Sequence, residues 1–180
     1  RTLGAGWEIY VKPHMNGLRP DVVILHPTKG LAVYEIKDWR LDSLGYEYRD
    51  TSDSVPQLWS QDRNGKWFRR RDDPLAKVMR YKGEMLSLYC PRLGALLETQ
   101  AHAASAITAG VILPQATTEQ ARQLFDPAIH AYGLTGPKAR YHTLTGRDAL
   151  LAEDSLAQVF PWAAEDRPSP PGEDVPGGDP

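Results

Sequence analysis

Two short apolar runs that flank a tight turn constrain the fold of this chain more than any other feature. Asp21 opens the first run, Asp-Val-Val-Ile-Leu, whose β-branched residues predict a buried strand. Residues 26–30 (His-Pro-Thr-Lys-Gly) have the composition of a turn, and residues 31–39 (Leu-Ala-Val-Tyr-Glu-Ile-Lys-Asp-Trp) predict a second strand. A hairpin centred in that turn places residue 21 opposite residue 35 or 36. The sequence therefore predicts that Asp21 and Glu35 meet through local structure alone.

The charged residues of this hairpin form a chemically specific group. Side chains alternate along a strand, so Glu35 and Lys37 share one face of the second strand. The carboxylates of Asp21 and Glu35 repel each other unless a cation neutralises them. Mg²⁺ is commonly held by one or two carboxylates, and a nearby lysine can orient water or stabilise phosphate charge. The pattern fits metal-dependent phosphodiester cleavage, and an ordinary hairpin that ends in a Glu–Lys pair is the alternative.

A second segment predicts a helix that begins at Asp73 and Pro74. Asp is a good N-cap residue, and Pro suits the first helical position because it needs no hydrogen-bond acceptor there. Lys77 and Tyr81 are four residues apart, so they share one face of this helix.

Together the two segments resemble the NERD (nuclease-related) domain of the PD-(D/E)XK nuclease superfamily. Residues 19–39 (R-P-D-V-V-I-L-H-P-T-K-G-L-A-V-Y-E-I-K-D-W) resemble its Asp-led strand, Gly turn and strand ending in Glu-x-Lys. The helix at Asp73 resembles one that opens Asn-Pro and carries Gln-x-x-x-Tyr, with Lys77 where the family usually has Gln. Residues 109–119 and 146–150 resemble later segments of the domain, so the resemblance spans about residues 6 to 152.

The resemblance implies a restriction-endonuclease-like core and a site for Mg²⁺ or Mn²⁺. Asp21, Glu35 and the backbone carbonyl of Ile36 would hold the metal. Lys37 would position the attacking water, and Lys77 with Tyr81 would support the site or grip phosphate. The implied catalytic set is thus Asp21, Glu35, Lys37 and Lys77. In this superfamily a helix before the first strand can carry another acidic residue, and we expect such a helix to precede Trp7.

The hydrophobic pattern predicts a mixed β-sheet flanked by helices, an α/β fold. The predicted strands are residues 7–11, the two motif strands, 46–48, 66–68, 106–113 and 140–144, and the predicted helices are 74–89, 92–102 and 117–125.

The polar segment from Leu41 to Asp72 reads as a hairpin laid beside the core, and it interleaves arginines with aromatic residues. This combination suits backbone contact and base stacking on single-stranded nucleic acid. The alternative is a solvated turn with a partly buried Trp. The candidate nucleic-acid-binding residues are Trp67, Arg69, Arg70, Arg71, Lys77 and Tyr81.

Composition predicts one domain, residues 1–164, followed by a linker, residues 165–180, and the resemblance implies that the domain is NERD-like. The chain has 180 residues, of which 41% are hydrophobic, enough for a substantial core. The linker is rich in Pro and Gly, and its five acidic residues and one basic residue give it a charge of −4. Since the whole chain has a net charge of −2, residues 1–164 have a net charge near +2. In similar proteins the NERD domain often precedes a helicase module, so we expect a fused or associated helicase.

The single cysteine, Cys90, excludes an internal disulfide and indicates a cytoplasmic protein. No apolar run is long enough for a membrane span, and no signal peptide is visible. A Walker lysine loop, a Gly-x-Ser-x-Gly motif and a Cys-x-x-Cys motif are all absent from the sequence. The sequence therefore favours a metal-dependent DNA nuclease acting in DNA repair, processing or defence. A binding module that grips DNA or a partner without cutting is the second interpretation, and a structural protein with a chance motif is the third.

Overall fold

Two β-sheets and their covering helices make up the part of the chain that the computed structural model describes, residues 6–43, 45–51, 55–96 and 105–161. The strands are β1 (Glu8–Val11), β2 (Val22–His26), β3 (Gly30–Ile36), β4 (Tyr46–Arg49), β5 (Gln57–Gln61), β6 (Trp67–Arg69), β7 (Ile107–Leu113) and β8 (Leu144–Gly146). The helices are α1 (Pro74–Glu84), α2 (Pro91–Leu96), α3 (Thr118–Ala131), α4 (Arg147–Leu151) and α5 (Ser155–Val159). A π-helical turn (Met85–Tyr89) follows α1, and a 3-10 helix (Gly136–Tyr141) follows α3.

The larger sheet has the strand order β1-β2-β3-β7-β8. Strands β1, β2 and β3 are antiparallel neighbours, whereas β7 runs parallel to β3, and β8 runs parallel to β7. Every residue of β7 is buried, as expected for a parallel strand that is covered on both faces. The predicted mixed β-sheet flanked by helices is therefore confirmed.

The motif hairpin has the predicted register. His26 pairs with Gly30 and Val22 pairs with Tyr34, so Asp21 directly precedes the last paired residue of the first strand and Glu35 directly follows its partner on the second. The backbone N–H of Asp21 donates to the carbonyl oxygen of Tyr34 at 3.1 Å, which anchors the start of the first strand.

The two faces of β3 meet different parts of the core. Val33 belongs to the main core, which also contains Val78 of α1 and Phe125 of α3. Tyr34 points the other way, packs with Phe160 and donates a hydrogen bond to the carbonyl of Val159 at 2.7 Å. Since side chains alternate, Glu35 lies on the same face as Val33, where α1 packs against β3 and β7.

Helix α1 begins as predicted. The Asp73 side chain accepts hydrogen bonds from the backbone N–H groups of Leu75 and Ala76 at 2.9 and 3.2 Å, and Pro74 occupies the first turn. The predicted helix 74–89 is α-helical as far as Glu84 and π-helical over its last five residues. The predicted helix 92–102 appears as α2, and residues 97–104 lie outside the described residues.

Three sequence-based assignments need correction. The segment before α1 is a three-stranded antiparallel sheet, β4-β5-β6, rather than a hairpin. The predicted strand 140–144 is wrong, because the 3-10 helix extends to Tyr141 and β8 begins only at Leu144. Helix α3 is capped by Thr117 and does not end at Phe125, as predicted, but continues through Pro127 to Ala131. The predicted linker, residues 165–180, lies outside the described residues.

A buried basic pair joins α1 to the segment after the 3-10 helix. Lys82 is only 6% exposed, and its Nζ lies 3.4 Å from Nε2 of His142. Burial lowers the pKa of Lys82 to about 8. Burial and then the charge of Lys82 lower the pKa of His142 to about 4, so this imidazole is neutral at pH 7.

Within the described ranges, no helix combines the length and the apolar character needed to cross a membrane.

Gly30→Ala should destabilise the protein because Gly30 has φ +95° and an added Cβ would lie 2.5 Å from the Ala106 carbonyl oxygen. We expect a loss of about 1–3 kcal/mol in the free energy of unfolding, measured by urea denaturation. Gly83→Ala is the matched control: Gly83 lies in α1 with nothing near its added Cβ, so this change should stabilise the helix by about 0.5–1 kcal/mol. Equal effects of the two substitutions would contradict the close approach at Gly30.

The neutral His142 should make stability fall as the pH falls from 6.5 to 4. In that window the unfolded chain binds a proton that the folded chain excludes, so the stability present above pH 6.5 is lost as the pH approaches the folded pKa of about 4. The contribution is about 3 kcal/mol. Urea denaturation at several pH values should show a shallower acid slope for His142→Gln than for wild type. The same slope in both proteins would contradict a buried, neutral His142.

Candidate functional site

The Asp21 carboxylate is tied to the end of the motif strand. Its Oδ2 accepts a hydrogen bond from the backbone N–H of Ile36 at 2.8 Å. This bond lies just beyond the last paired residues of the hairpin, Val22 and Tyr34. The hairpin therefore holds Asp21 at the end of β3, where its carboxylate meets the backbone of the residue after Glu35.

Glu35 is a buried carboxylate whose two oxygens are both engaged. The residue is 3% exposed. Its Oε1 accepts a hydrogen bond from Nζ of Lys77 at 3.0 Å and forms an ion pair with Nζ of Lys37 at 2.8 Å. Its Oε2 accepts from the hydroxyl of Tyr81 at 3.0 Å. A buried charge needs such partners, because an unpaired carboxylate at this depth would be strongly destabilising.

Helix α1 supplies two of these donors from a distant part of the chain. Lys77 and Tyr81 lie one turn apart on the face that packs over β3, as their spacing predicts. Burial and the charge of Glu35 raise the pKa of Tyr81, so its hydroxyl stays protonated and acts as a donor. The same hydroxyl lies 3.4 Å from the carbonyl oxygen of Arg19, just before the motif aspartate.

Asp72 completes the cluster, and the sequence interpretation did not include it. Its Oδ2 lies 2.5 Å from Nζ of Lys37, and its Oδ1 forms an ion pair with Nζ of Lys77. Burial raises the pKa of Asp72, but the two lysines outweigh this effect and hold the pKa below its ordinary value. Burial lowers the pKa of Lys77, but its hydrogen bonds to Asp72 and Glu35 outweigh burial and raise it. Two carboxylates and two ammonium groups thus form a closed ring of alternating charge.

The residues expected to hold a metal have the right donor chemistry. Asp21 and Glu35 offer carboxylate oxygens, and Ile36 offers a backbone carbonyl, which are the hard ligands that Mg²⁺ and Mn²⁺ take. No group of three or more His, Cys, Asp or Glu side chains in the described ranges is arranged to hold a metal ion. The expected set has only two acidic side chains, so it depends on the carbonyl and on water for the remaining ligands.

The net charge of the cluster is also compatible with a bound cation. Glu35 and Asp72 offset Lys37 and Lys77, because each carboxylate is paired with both ammonium groups. Asp21 adds a negative charge close to Glu35. Within this cluster, a divalent cation held by Asp21 and Glu35 would therefore meet no excess of lysine charge.

Two of the candidate nucleic-acid contacts, Trp67 and Arg69, lie on one face of the smaller sheet. Strand pairing sets Trp59 opposite Arg69, so these side chains share a face. The guanidinium of Arg49 lies 4.8 Å from the ring centre of Trp59 and 4.7 Å from that of Trp67. The face thus combines two indole rings with two arginines, and sequence reasoning had singled out neither Arg49 nor the pairing that brings it there.

The structure does not group the other two arginines with that face. The guanidinium of Arg70 lies 5.8 Å from the ring centre of Trp39 and 5.9 Å from that of Phe68. Arg71 is exposed and directly precedes Asp72. The three consecutive arginines therefore have three different surroundings.

Comparison with known proteins assigns this chain to no family. No protein-family model matches it, no curated protein matches it, and no solved structure matches it. Conclusions about the site therefore rest on the geometry of the cluster around Glu35.

Tyr81→Phe should destabilise the protein because it removes the donor to Oε2 of Glu35 and leaves that buried oxygen short of a partner. We expect a loss of about 1.5–3 kcal/mol in the free energy of unfolding, measured by urea denaturation. Tyr89→Phe is the matched control at an exposed position, 47% accessible, and should change stability by less than about 0.5 kcal/mol. Similar effects for the two substitutions would contradict a buried hydrogen bond to Glu35.

Proposed function

We propose that this protein is a Mg²⁺- or Mn²⁺-dependent DNA nuclease of the PD-(D/E)XK type, with a NERD-like domain on a restriction-endonuclease-like core. One observation supports the proposal: the Asp21 carboxylate is hydrogen-bonded to the backbone N–H of Ile36, next to Glu35, and Lys37, Lys77 and Tyr81 all contact Glu35. A Glu-x-Lys pattern in a hairpin does not by itself predict that a lysine and a tyrosine will join it from a helix about forty residues away in sequence. The mixed sheet flanked by helices is compatible with the proposed core.

Each residue has a defined role in this proposal. Asp21, Glu35 and the Ile36 carbonyl would hold the metal ion, which when bound would act as a Lewis acid toward the phosphate and activate water. Lys37 would orient the attacking water with an ammonium group that Glu35 already holds in place. Lys77, which is more exposed than Lys37, would contact a phosphate oxygen of the substrate.

The proposed substrate is DNA, with single-stranded or branched DNA favoured. Aromatic rings and arginines on one face of the smaller sheet, Trp67 and Arg69 among them, have the chemistry of base stacking and phosphate contact. Arg71 is exposed and directly precedes Asp72, so we propose that it contacts the same backbone. We further propose a role in DNA repair, processing or defence, in the cytoplasm, with a fused or associated helicase.

A second function, a nuclease-like module that binds DNA or a partner without cutting, is favoured by one specific observation. Both oxygens of Glu35 are satisfied by protein donors, and the ring with Asp72 is neutral without any bound ion. A carboxylate in this position has less need of a metal than an unpaired one would. The two functions differ in whether the protein takes up Mn²⁺ and whether DNA is cleaved.

Cleavage assays on single- and double-stranded DNA with Mg²⁺ or Mn²⁺ test the proposal. Glu35→Gln should reduce the cleavage rate at least about 100-fold because it removes a metal-ligating charge, and Lys37→Met should do the same because it removes the water-positioning ammonium. Glu119→Gln and Lys138→Met change surface residues of the same types and should cleave as wild type does. Circular dichroism at the assay temperature confirms that each variant is folded.

Equal cleavage by wild type, Glu35→Gln and Lys37→Met would overturn the proposal. Calorimetric titration with Mn²⁺ separates the two functions directly. A nuclease should bind the ion and lose affinity in Asp21→Asn, whereas a wild-type protein that binds DNA but takes up no Mn²⁺ would establish the non-cleaving module.

A further inference from the structure

Asp72 has an unusual position in the site: it bridges two lysines that already share another oxygen. Nζ of Lys37 and Nζ of Lys77 lie 2.8 and 3.0 Å from the same Oε1 of Glu35. Their separation is therefore less than about 6 Å, close enough for strong repulsion between like charges. Each ammonium group also pairs with a different oxygen of Asp72.

Lys77 adds a second positive charge to the cluster, and Asp72 offsets it. A single carboxylate, Glu35, cannot neutralise both lysines, so without Asp72 the cluster would carry an excess positive charge beside Asp21. That excess would oppose a divalent cation held by Asp21 and Glu35, since like charges at this distance repel. Asp72 removes this excess. With Asp72 and Lys77 both present, the cluster has the same net charge as it would have with neutral side chains at both positions.

We propose that Asp72 is a positioning residue that compensates the charge of Lys77 and holds Lys37 against Glu35, so that the site can accept a divalent cation. The part of this inference that concerns metal uptake rests on the proposed nuclease function. The part that concerns the pairing of Asp72 with Lys77 stands on the ion pairs alone.

A purely structural role for Asp72 makes a different prediction. Asp72 directly precedes the Asp73 cap of α1, and an acidic residue near a helix N-terminus stabilises the helix through its dipole. In that case substitution would lower stability by the same amount whatever residue occupies position 77, and it would leave Mn²⁺ affinity unchanged.

Four proteins test the inference by calorimetric titration with Mn²⁺: wild type, Asp72→Asn, Lys77→Gln and the double variant. Asp72→Asn should weaken Mn²⁺ binding at least about 10-fold because one positive charge is left uncompensated, whereas the double variant, which has the wild-type net charge, should return to within about threefold of wild type. Asp72→Glu retains the charge and should bind Mn²⁺ nearly as wild type does. Asp126→Asn, at an exposed position on α3, is the matched control and should have no effect.

Two outcomes would overturn the inference. The first is that Asp72→Asn binds Mn²⁺ as tightly as wild type does. The second is that Asp72→Asn weakens Mn²⁺ binding by the same factor whether position 77 is Lys or Gln. A wild-type protein that takes up no Mn²⁺ would instead overturn the proposed nuclease function. In that case the ion pair between Asp72 and Lys77 is tested by the free energy of unfolding of the same four proteins, measured by urea denaturation. Asp72→Asn must destabilise wild type more than it destabilises Lys77→Gln, and equal destabilisation would overturn the compensation.

Discussion

The burial of one carboxylate, that of Glu35, is the constraint on which the rest of the structure depends. The side chain lies on the core face of the motif strand, where an unpaired charge would be far more costly than any single packing contact is stabilising. Lys37 directly follows the end of this strand, but Lys77 and Tyr81 must be brought by α1. The docking of α1 therefore supplies partners to the buried carboxylate of the hairpin and also adds apolar side chains to the core.

The residues that start α1 connect the smaller sheet to this cluster. Asp73 caps the helix and also accepts a hydrogen bond from the hydroxyl of Tyr48 on β4 at 3.0 Å. Asp72, one residue earlier, pairs with both lysines of the site. Two adjacent carboxylates thus have separate tasks, and the smaller sheet supports the start of the helix that completes the site.

Sequence reasoning succeeded where a local interaction decides the structure and failed where the environment does. The sequence pattern did not predict strand β5. Its two buried positions are Leu58 and Ser60, and because Ser60 is polar, the alternation of apolar and polar residues that marks a strand is absent. The pattern at residues 140–144 predicted a strand, yet a 3-10 helix with Pro137 in its first turn takes the first two residues of that segment, and the strand begins only at Leu144. The assignment of the chain to a nuclease family remains a prediction from the motif.

By itself, the sequence determined the hairpin that brings Asp21 to the strand end that carries Glu35, the cap of α1 by Asp73, and the common face of Lys77 and Tyr81. Each of these follows from turn chemistry, strand alternation or helical spacing over a few residues. Only the tertiary structure decided that Asp72 would join the ring, because its partner Lys37 is 35 residues away in sequence and an ion pair depends on separation in space. The same reason explains why three consecutive arginines, alike in sequence, have different surroundings in the fold.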